Sequence, residues 1–335
     1  MTLRIGIIGA GIMGADHANT LHHFVSGADV ELIADVDRGR AESAAKSIDG
    51  ARASNDALAV ISDPAVDAVI IASHDSTHAE LALASLAEGK PVLCEKPLAP
   101  TLAECVRVAA AQRQAIGANG RELITLGFMR RFDPGYVQIK AAIKAAELGA
   151  PLIVDSIGRG VTSGPGTTSE SSVTNSAIHD LDIVPWLLDS PVVEVGWQAP
   201  LSSPLADGFQ DPQFILLRTA NGVLSTVEVF LNARYGYDVR CEVVCETGTL
   251  ALTEPARVIS DRALNRGVSY AADWRPRFAD AYRLELQAWV DAQAAGAMSP
   301  LASAHDGLTA SAVADAVITS MHEGGRTVAV TVPSY

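Results

Sequence analysis

The stretch Leu3-Arg4-Ile5-Gly6-Ile7-Ile8-Gly9-Ala10-Gly11-Ile12-Met13-Gly14 decides the fold of this chain. Its first half is an apolar run of strand length, and a helical pattern follows the glycines. In this setting the first glycine permits a tight turn, the second lets a pyrophosphate approach the backbone, and the third lets helix and strand pack closely. The helix N-terminus offers N–H groups to phosphate oxygens. We therefore predict a dinucleotide-binding loop, with cofactor residues Gly9, Gly11, Ile12, Met13 and Gly14.

An acidic residue, Asp35, follows the second predicted strand, Val30–Ala34. A carboxylate at this place accepts hydrogen bonds from both ribose hydroxyls and repels a 2′-phosphate. Asp35, with Val36 beside it, therefore predicts NAD rather than NADP as the cofactor. Arg38 argues for NADP, because an arginine near that ribose can hold a phosphate. Its alternative role is that of a solvated residue in the first turn of the next helix.

Short apolar strands alternate with alanine-rich helical segments as far as residue 125. This pattern is typical of a parallel sheet with both faces covered. We predict an α/β fold whose N-terminal domain, residues 1–125, is a doubly wound Rossmann sheet. The predicted strands are Leu3–Ile8, Val30–Ala34, Ala68–Ala72, Pro91–Cys94 and Leu123–Leu126.

The pattern changes after Gly127, where long β-type segments follow one another between helices. Strands bunched in this way indicate a large, mostly antiparallel sheet with helices on one face. Residues 126–335 are therefore predicted to form a C-terminal α+β domain for substrate binding and oligomerisation. The predicted helices here are Gly135–Leu148, Asn175–Leu188, Phe278–Ala294 and Ser303–Glu323.

Composition narrows the class of function. The chain has 335 residues and a net charge of −14, which argues against a nucleic-acid or anionic-membrane partner. No apolar stretch approaches the ~20 residues of a membrane span. Four scattered cysteines are too few for a disulfide framework, and no metal site is predicted from them. These features predict a cytoplasmic protein without metal.

The tripeptide Glu95-Lys96-Pro97 follows the apolar run Pro91–Cys94. Ligands of open α/β sheets bind outside the carboxyl ends of the strands, so this lysine is expected over the cofactor crevice. In isolation such a lysine is more often a surface residue on a turn. Ser73 and His74 end the preceding strand and are expected on the nicotinamide side with Glu95. His78 is predicted to be a capping or packing residue.

These motifs resemble the glucose-fructose oxidoreductase/inositol dehydrogenase/MocA superfamily, and within it the bacterial inositol 2-dehydrogenases. The resemblance extends over nearly the whole chain. It rests on the glycine loop and Cys94-Glu95-Lys96-Pro97, and more narrowly on Phe128-Met129-Arg130-Arg131, Ile178-His179-Asp180 and Tyr235-Gly236-Tyr237-Asp238.

The resemblance implies that Lys96 and His179 flank the substrate carbon above the nicotinamide. Inositol dehydrogenases often have an aspartate four residues before the histidine, where this chain has Asn175. An amide can hydrogen bond to an imidazole but cannot stabilise an imidazolium by its charge. Ser176 matches a hydroxyl-bearing position of the family. Met129, Arg130 and Tyr235 match positions that shape its polyol pocket.

The resulting hypothesis is NAD-dependent oxidation of a cyclic polyol, with myo-inositol converted to 2-keto-inositol. His179 is expected to take the hydroxyl proton, and Lys96 to donate a hydrogen bond to the same oxygen. Asp155 and Arg130 are expected either in the polar pocket or as a structural ion pair.

Three alternatives remain open. The chain could be a dehydrogenase for another inositol isomer, an inosose or a pyranose sugar. It could be an NAD-dependent glycosidase of the same superfamily, or a dinucleotide sensor without catalysis. The family habit of association through the exposed face of the second-domain sheet predicts a homotetramer.

Overall fold

The computed structural model of the chain describes residues 2–253 and 258–335, apart from the side chains of residues 117–119. The described residues form two compact units. The first contains residues 1–132, 280–311 and 333–335, and the second contains residues 133–279 and 312–332.

The strands of the described residues are short in the first half of the chain and longer in the second. They are β1 Leu3–Ile8, β2 Ala28–Ala34, β3 Arg52–Ser54, β4 Ala68–Ile71, β5 Val92–Glu95, β6 Ile124–Gly127, β7 Pro151–Arg159, β8 Val192–Gln198, β9 Gln213–Thr219, β10 Leu224–Phe230, β11 Asp238–Cys245, β12 Thr249–Ala251, β13 Ser260–Arg262, β14 Asn265–Gly267, β15 Ala302–Ser303 and β16 Val328–Ala329.

The α-helices lie between these strands. They are α1 Ile12–Phe24, α2 Arg38–Lys46, α3 Ala57–Ser62, α4 His78–Ala87, α5 Leu102–Asn119, α6 Pro134–Lys144, α7 Ser169–Ser172, α8 Ile178–Leu188, α9 Trp274–Ala294 and α10 Ala304–His322. None of the described helices is both long and apolar enough to span a bilayer.

The first unit is built on a sheet of order β15-β6-β5-β4-β1-β2-β3 within the described residues. Strands β1 to β6 pair in parallel, as predicted, and β15 joins β6 in the antiparallel sense. The chain order reverses between β4 and β1, which is the switch point where α/β sheets bind ligands. Strand β3 was not predicted, because its sequence Arg-Ala-Ser has no apolar pattern.

The core of the first unit draws on distant parts of the chain. The strand residues Ile5, Ile33 and Ile70 pack in one cluster with Leu286 and Trp289 of α9. Each large apolar side chain that is fully buried stabilises the folded state by about 1.5–3 kcal/mol. This packing explains why residues 280–311 belong to the first unit, whereas the sequence predicts a single boundary at residue 125.

The second unit has a sheet of order β12-β11-β7-β10-β9-β8-β16. Its pairs are antiparallel, as predicted, except that β10 and β7 run in parallel. Side chains alternate between two faces, so Val154 and Ser156 of β7 are buried while Asp155 is exposed. We call the side of Val154 the covered face and the side of Asp155 the outer face.

A buried ion pair stabilises the second unit at the start of α6. Asp133 caps the helix by accepting from the N–H groups of Gly135 and Tyr136. Its other oxygen lies 2.6 Å from a guanidinium nitrogen of Arg277, and both side chains are less than a tenth exposed. The N-cap of α6 and the buried charge of Arg277 therefore both depend on the Asp133 carboxylate.

We expect Asp133→Ala to lower the free energy of unfolding by about 3–5 kcal/mol, because it leaves the Arg277 cation buried without its partner. The matched control is Glu194→Gln, which breaks the half-exposed pair with Arg218. That change should cost about 0–1 kcal/mol. Urea unfolding of both variants measures the difference, and equal losses would contradict the assignment.

Candidate functional site

The glycine loop has the geometry that a dinucleotide requires. Gly9 has a φ of +99°, and a Cβ there would lie 2.5 Å from the backbone of Ala72. A Cβ on Gly14 would lie 1.7 Å from the carbonyl oxygen of Gly9. Gly11, by contrast, has open space on its Cβ side, with no described atom within 4 Å. These observations fit a close helix–strand contact with room for a phosphate at the second glycine.

Helix α1 begins at Ile12, and its N-cap Gly11 has no side chain that could bond the first N–H groups. Such N–H groups are suited to bind the oxygens of a pyrophosphate. Ile12 is 59% exposed at this helix start. The residues present therefore fit the dinucleotide that the sequence predicts, with Met13 in the first turn.

Asp35 lies beside this loop and is held from three sides. Its Oδ2 accepts from the N–H of Ala10 at 2.8 Å, and its Oδ1 accepts from the N–H of Asp37 at 2.8 Å. A guanidinium nitrogen of Arg40 donates to Oδ1 at 2.9 Å. Burial by itself would raise the pKa of Asp35, but the backbone hydrogen bonds and the Arg40 charge lower that pKa overall. The carboxylate therefore stays ionised, as recognition of ribose hydroxyls requires.

Arg40, not Arg38, is the arginine beside the predicted ribose site. Arg38 is the first residue of α2 and pairs with Glu42 at 2.9 Å on the solvent side. Its alternative role as a solvated first-turn residue is thus confirmed. The sequence does not identify Arg40, because residue spacing does not show where the side chains of α2 point. The N-cap at Asp37 sets the start of α2 and thereby directs Arg40 toward Asp35. Val36, between Asp35 and that cap, is 91% exposed.

We expect Asp35→Ala to reduce the preference for NAD over NADP, measured as the ratio of kcat/KM values. Charge-assisted hydrogen bonds contribute about 1.5–3 kcal/mol, so the ratio should fall roughly 10–100-fold. Arg40, released from its partner, becomes available to a 2′-phosphate. Asp37→Ser is the control, because serine keeps the cap of α2. An unchanged ratio in Asp35→Ala would contradict the role of the carboxylate.

Lys96 lies immediately after β5, at the carboxyl edge of the first sheet. The lysine is half-buried, and burial is the main cause that lowers its pKa. The Glu95 carboxylate opposes this shift, and the positive charge of Arg130 adds to it. A lysine in such surroundings is more than a solvated residue on a turn, and it can bond an oxygen that gains negative charge.

His78 connects the loops that follow β4 and β5. The side chain is 1% exposed, with Nδ1 2.7 Å from the carbonyl oxygen of Pro97 and Nε2 3.1 Å from that of Ser73. The prediction of a packing histidine is confirmed by this burial. The Ser73 hydroxyl bonds that of Thr77 at 2.7 Å, and His74 caps the short turn Asp75–Thr77.

Met129 and Arg130 lie in a short 3₁₀ turn, Met129–Phe132, that follows β6. Their side chains are 2% and 3% exposed. Because β6 neighbours β5, this turn lies at the same sheet edge as Lys96. The charge of Arg130 acts on Lys96, which places these two predicted residues in one local environment.

The helical segment around His179 differs from the prediction. The helix was expected to begin at Asn175, but the first turn of the segment is capped by Thr168, whose hydroxyl accepts from the N–H of Ser171. A π-helical turn, Val173–Ala177, then joins α7 to α8. Asn175 is thus an interior residue and not an N-cap. π-turns of this kind often occur at functional sites.

This π-turn determines how the predicted residues are presented. Asn175 is exposed, while Ser176 and His179 are half-buried. Asn175 lies four residues before His179, and the wider turn alters the angular offset that an α-helical spacing of four residues would give the two side chains.

Asp155 and Tyr235 lie apart from His179 within the second unit. Helix α8 contacts β7, whose covered face carries Val154. Asp155 points to the outer face, where its Oδ1 accepts from the Thr226 hydroxyl at 2.5 Å. The structure does not bring this carboxylate to the segment of His179.

Tyr235 belongs to a polar network on the outer face. Its hydroxyl donates to Asp238 at 2.5 Å and accepts from Arg159 at 3.2 Å. Arg159 in turn forms a bidentate pair with Glu228, at 2.6 and 2.9 Å. A cavity of about 510 Å³ opens at this network, and its lining includes Arg159, Phe214, Glu228, Phe230 and Tyr235.

The described residues contain no group of three or more His, Cys, Asp or Glu side chains arranged to hold a metal ion. The polar groups at the carboxyl edge of the first sheet are those of a dinucleotide site with a half-buried lysine.

Comparison with known proteins agrees with this geometry. Residues 3–116 match the GFO/IDH/MocA oxidoreductase family with NAD-binding Rossmann fold, and residues 136–251 match the GFO/IDH/MocA C-terminal domain. The chain is 53% identical to inositol 2-dehydrogenase 2 of Paenarthrobacter aurescens over 98% of both chains. It is 46% identical to inositol 2-dehydrogenase 2 of Saccharopolyspora erythraea, over 97% of this chain and 94% of the relative.

Among solved structures, the fold is similar to that of myo-inositol dehydrogenase from Lactobacillus casei in complex with NAD(H) and myo-inositol. The TM-score is 0.93 at 31% identity, and the match covers 100% of this chain and 98% of the other. The N-terminal domain is therefore an NAD-binding Rossmann domain, and the chain belongs to the GFO/IDH/MocA family of oxidoreductases.

Proposed function

We propose that this protein oxidises a secondary hydroxyl of myo-inositol, forms 2-keto-inositol and uses NAD as the acceptor. The observation that carries the proposal is the position of Lys96. This half-buried lysine follows β5 at the same carboxyl edge as the open glycine loop and the ionised Asp35. The similarity to inositol 2-dehydrogenases over the whole chain supports the choice of substrate.

The reaction removes one proton and one hydride from the substrate. NAD, when bound, accepts the hydride on its nicotinamide ring. Lys96 donates a hydrogen bond to the hydroxyl oxygen and stabilises the negative charge that develops there. His179 takes the hydroxyl proton, since a neutral imidazole is a competent base near neutral pH. Asn175 supports the substrate or the imidazole by hydrogen bonding.

A cyclic polyol needs several polar contacts, because each of its ring hydroxyls is otherwise desolvated without a partner. We assign Met129 and Arg130 to one part of its pocket, and Ser176 with Asn175 to another. Ser73, His74 and Glu95 remain proposed as residues of the cofactor side. Substitutions of Lys96 and His179 test the two chemical roles.

Assembly is part of the proposal. We propose a homotetramer that associates through the outer face of the second sheet, where Ile153 is 39% exposed. Cover of such a sheet is physically favourable. Asp155 and Tyr235, which lie on this face, would then serve a polyol pocket only in the assembled protein. Sedimentation velocity at several concentrations tests the state, and a stable monomer would contradict it.

We also place the protein in the cytoplasm. Its four cysteines are free and buried, as is common where thiols stay reduced. Cell fractionation tests this location.

One experiment tests the function against its alternatives. NAD reduction is followed by absorbance over a panel of inositol isomers, inososes and pyranose sugars, with a glycoside included. We expect myo-inositol to give the highest kcat/KM. A higher kcat/KM for another isomer would favour a dehydrogenase of different stereochemistry. Asn175, which stands where inositol dehydrogenases often have an aspartate, is the reason to test this alternative.

The remaining alternatives give different signals in the same assay. Cleavage of the glycoside without net NADH would favour a glycosidase. Binding of NAD without turnover on any member of the panel would favour a sensor. Either result would overturn the proposed oxidation.

A further inference from the structure

A buried histidine connects the dinucleotide-binding helix to the residue before Lys96. His17 lies in the middle of α1 and is 0% exposed. Its Nε2 lies 2.8 Å from Oε1 of Glu95, although 78 residues separate the two in the chain. Glu95 ends β5 and is itself 5% exposed. Two polar side chains that are this deeply buried need each other as partners.

The Glu95 carboxylate is held from further directions. Its Oε2 accepts from the backbone N–H of Lys96 at 3.3 Å. On β6, a Cβ at Gly127 would approach Oε1 to 3.2 Å, so the absence of a side chain at Gly127 makes room for the carboxylate. Glu95 thus lies between α1 and β6, with its charge beside the Lys96 main chain.

The hydrogen bond defines the tautomer of His17. Nδ1 is buried and has no hydrogen-bond partner among the described residues. A proton on Nε2 donates to Glu95 and leaves Nδ1 as a bare lone pair. The opposite arrangement would bury an N–H without an acceptor, which costs about 1–3 kcal/mol. The ring also packs edge-on against Tyr282, at 5.7 Å between centroids, which fixes its orientation.

The charge on Glu95 reflects these contacts. Burial would raise the pKa of Glu95, but the hydrogen bond from His17 and the positive charge of Lys96 lower that pKa overall. In turn, the Glu95 carboxylate raises the pKa of Lys96 against the effect of burial. Loss of the carboxylate, or its displacement from Lys96 when His17 is removed, therefore leaves Lys96 less able to keep its proton.

Other charged groups around Lys96 come from neighbouring loops. Arg130, after β6, lowers the pKa of Lys96, and Asp75, after β4, raises it. The charge of His78, on α4, acts to lower the pKa of Glu95. Among these groups, Glu95 has the largest effect of any charge on Lys96, and His17 is its buried side-chain partner.

We propose that His17 is a positioning residue for Lys96, because it holds the Glu95 carboxylate in place beside the lysine. The inference rests on the proposed catalytic role of Lys96. Glu95, which is also predicted to lie near the cofactor, then has a second role: its side chain links His17 to Lys96 within the first unit.

The test compares two substitutions of His17. Met has a similar volume but no donor, whereas the Gln amide can donate from about the place of Nε2. Measured quantities are kcat for myo-inositol as a function of pH, the Kd of NAD, and Tm. His23→Gln is the matched control, because His23 is an exposed histidine on the same helix.

We expect His17→Met to lower kcat by roughly 10–100-fold, as a displaced catalytic group does. The alkaline limb of its pH profile should move to lower pH, because a Glu95 carboxylate that is displaced from Lys96 supports the ammonium form less. His17→Gln should recover most of both effects, and His23→Gln should match the wild type. If His17→Met does not fold, Glu95→Gln serves instead, and its alkaline limb should also move to lower pH.

Two results would overturn the inference. One is an unchanged alkaline limb in His17→Met or Glu95→Gln. The other is an equal loss of activity in His17→Met and His17→Gln that is fully explained by a weaker Kd of NAD. That result would show that His17 only packs α1 in place. Lys96→Met separates this failure from failure of the proposed function. If Lys96→Met retains turnover and its alkaline limb, the proposed role of Lys96 and the inference both fall.

Discussion

Replacing His179 with Gln should lower kcat for myo-inositol oxidation by about 10²–10⁴-fold, the usual contribution of a positioned general base. Glutamine preserves hydrogen bonding and approximate size but cannot accept the hydroxyl proton. The acidic limb of the pH profile should disappear with it, because that limb reports protonation of the base. The Kd of NAD should remain unchanged, since the dinucleotide loop belongs to the first compact unit.

His322→Gln is the matched control for this experiment. His322 is an exposed histidine of the second unit and pairs with Glu170 at 2.9 Å. Its replacement should leave kcat and both limbs of the pH profile as they are. Near-wild-type turnover of His179→Gln would exclude the imidazole as the base.

Replacing Lys96 with Met should lower kcat by about 10²–10³-fold, comparable to loss of one donor to a developing oxyanion. Methionine keeps the length of the side chain and removes the charge. In the wild type, burial lowers the pKa of Lys96, so activity that depends on its ammonium form is present below that pKa and lost as the pH rises through it. The alkaline limb should therefore vanish in Lys96→Met.

Lys90→Met provides the control at the opposite end of β5. Lys90 precedes β5, and its Nζ donates to the carbonyl oxygen of Asp63 at 2.6 Å. We expect this variant to keep its kcat. The double variant Lys96→Met/His179→Gln should lose less than the product of the single losses, because residues that act on one oxygen are not independent. Strict multiplication of the two effects would indicate separate roles.

The sequence was sufficient where function depends on local pattern. The glycine loop, the parallel strands before residue 125 and Asp35 all follow from neighbours in the chain, and the structure has them where they were predicted. The position of Lys96 at the carboxyl edge followed from the strand that precedes it. Each of these depends on strand and helix periodicity and on backbone sterics, which act over a few residues.

Other features depend on contacts between distant residues. Arg38 is nearer to Asp35 in the sequence than Arg40 is, yet Arg40 reaches the carboxylate, because the cap at Asp37 sets the direction of α2. The π-turn that contains Asn175 likewise has no local signature, since its residues would also suit an α-helix. Asp155 is a candidate pocket residue in the sequence, and only the register of β7 shows that it lies on the outer face of the second sheet.

The sequence by itself determined that this protein has a dinucleotide-binding parallel sheet, an acidic ribose site and a lysine at the strand end. The tertiary structure alone decided that α9 returns to the first core, that Tyr235 joins the network of Arg159, and that His17 holds Glu95. The reason is physical. Periodicity is set by adjacent residues, whereas the partner of a buried charge is set by whichever side chain the packed fold brings within hydrogen-bond distance.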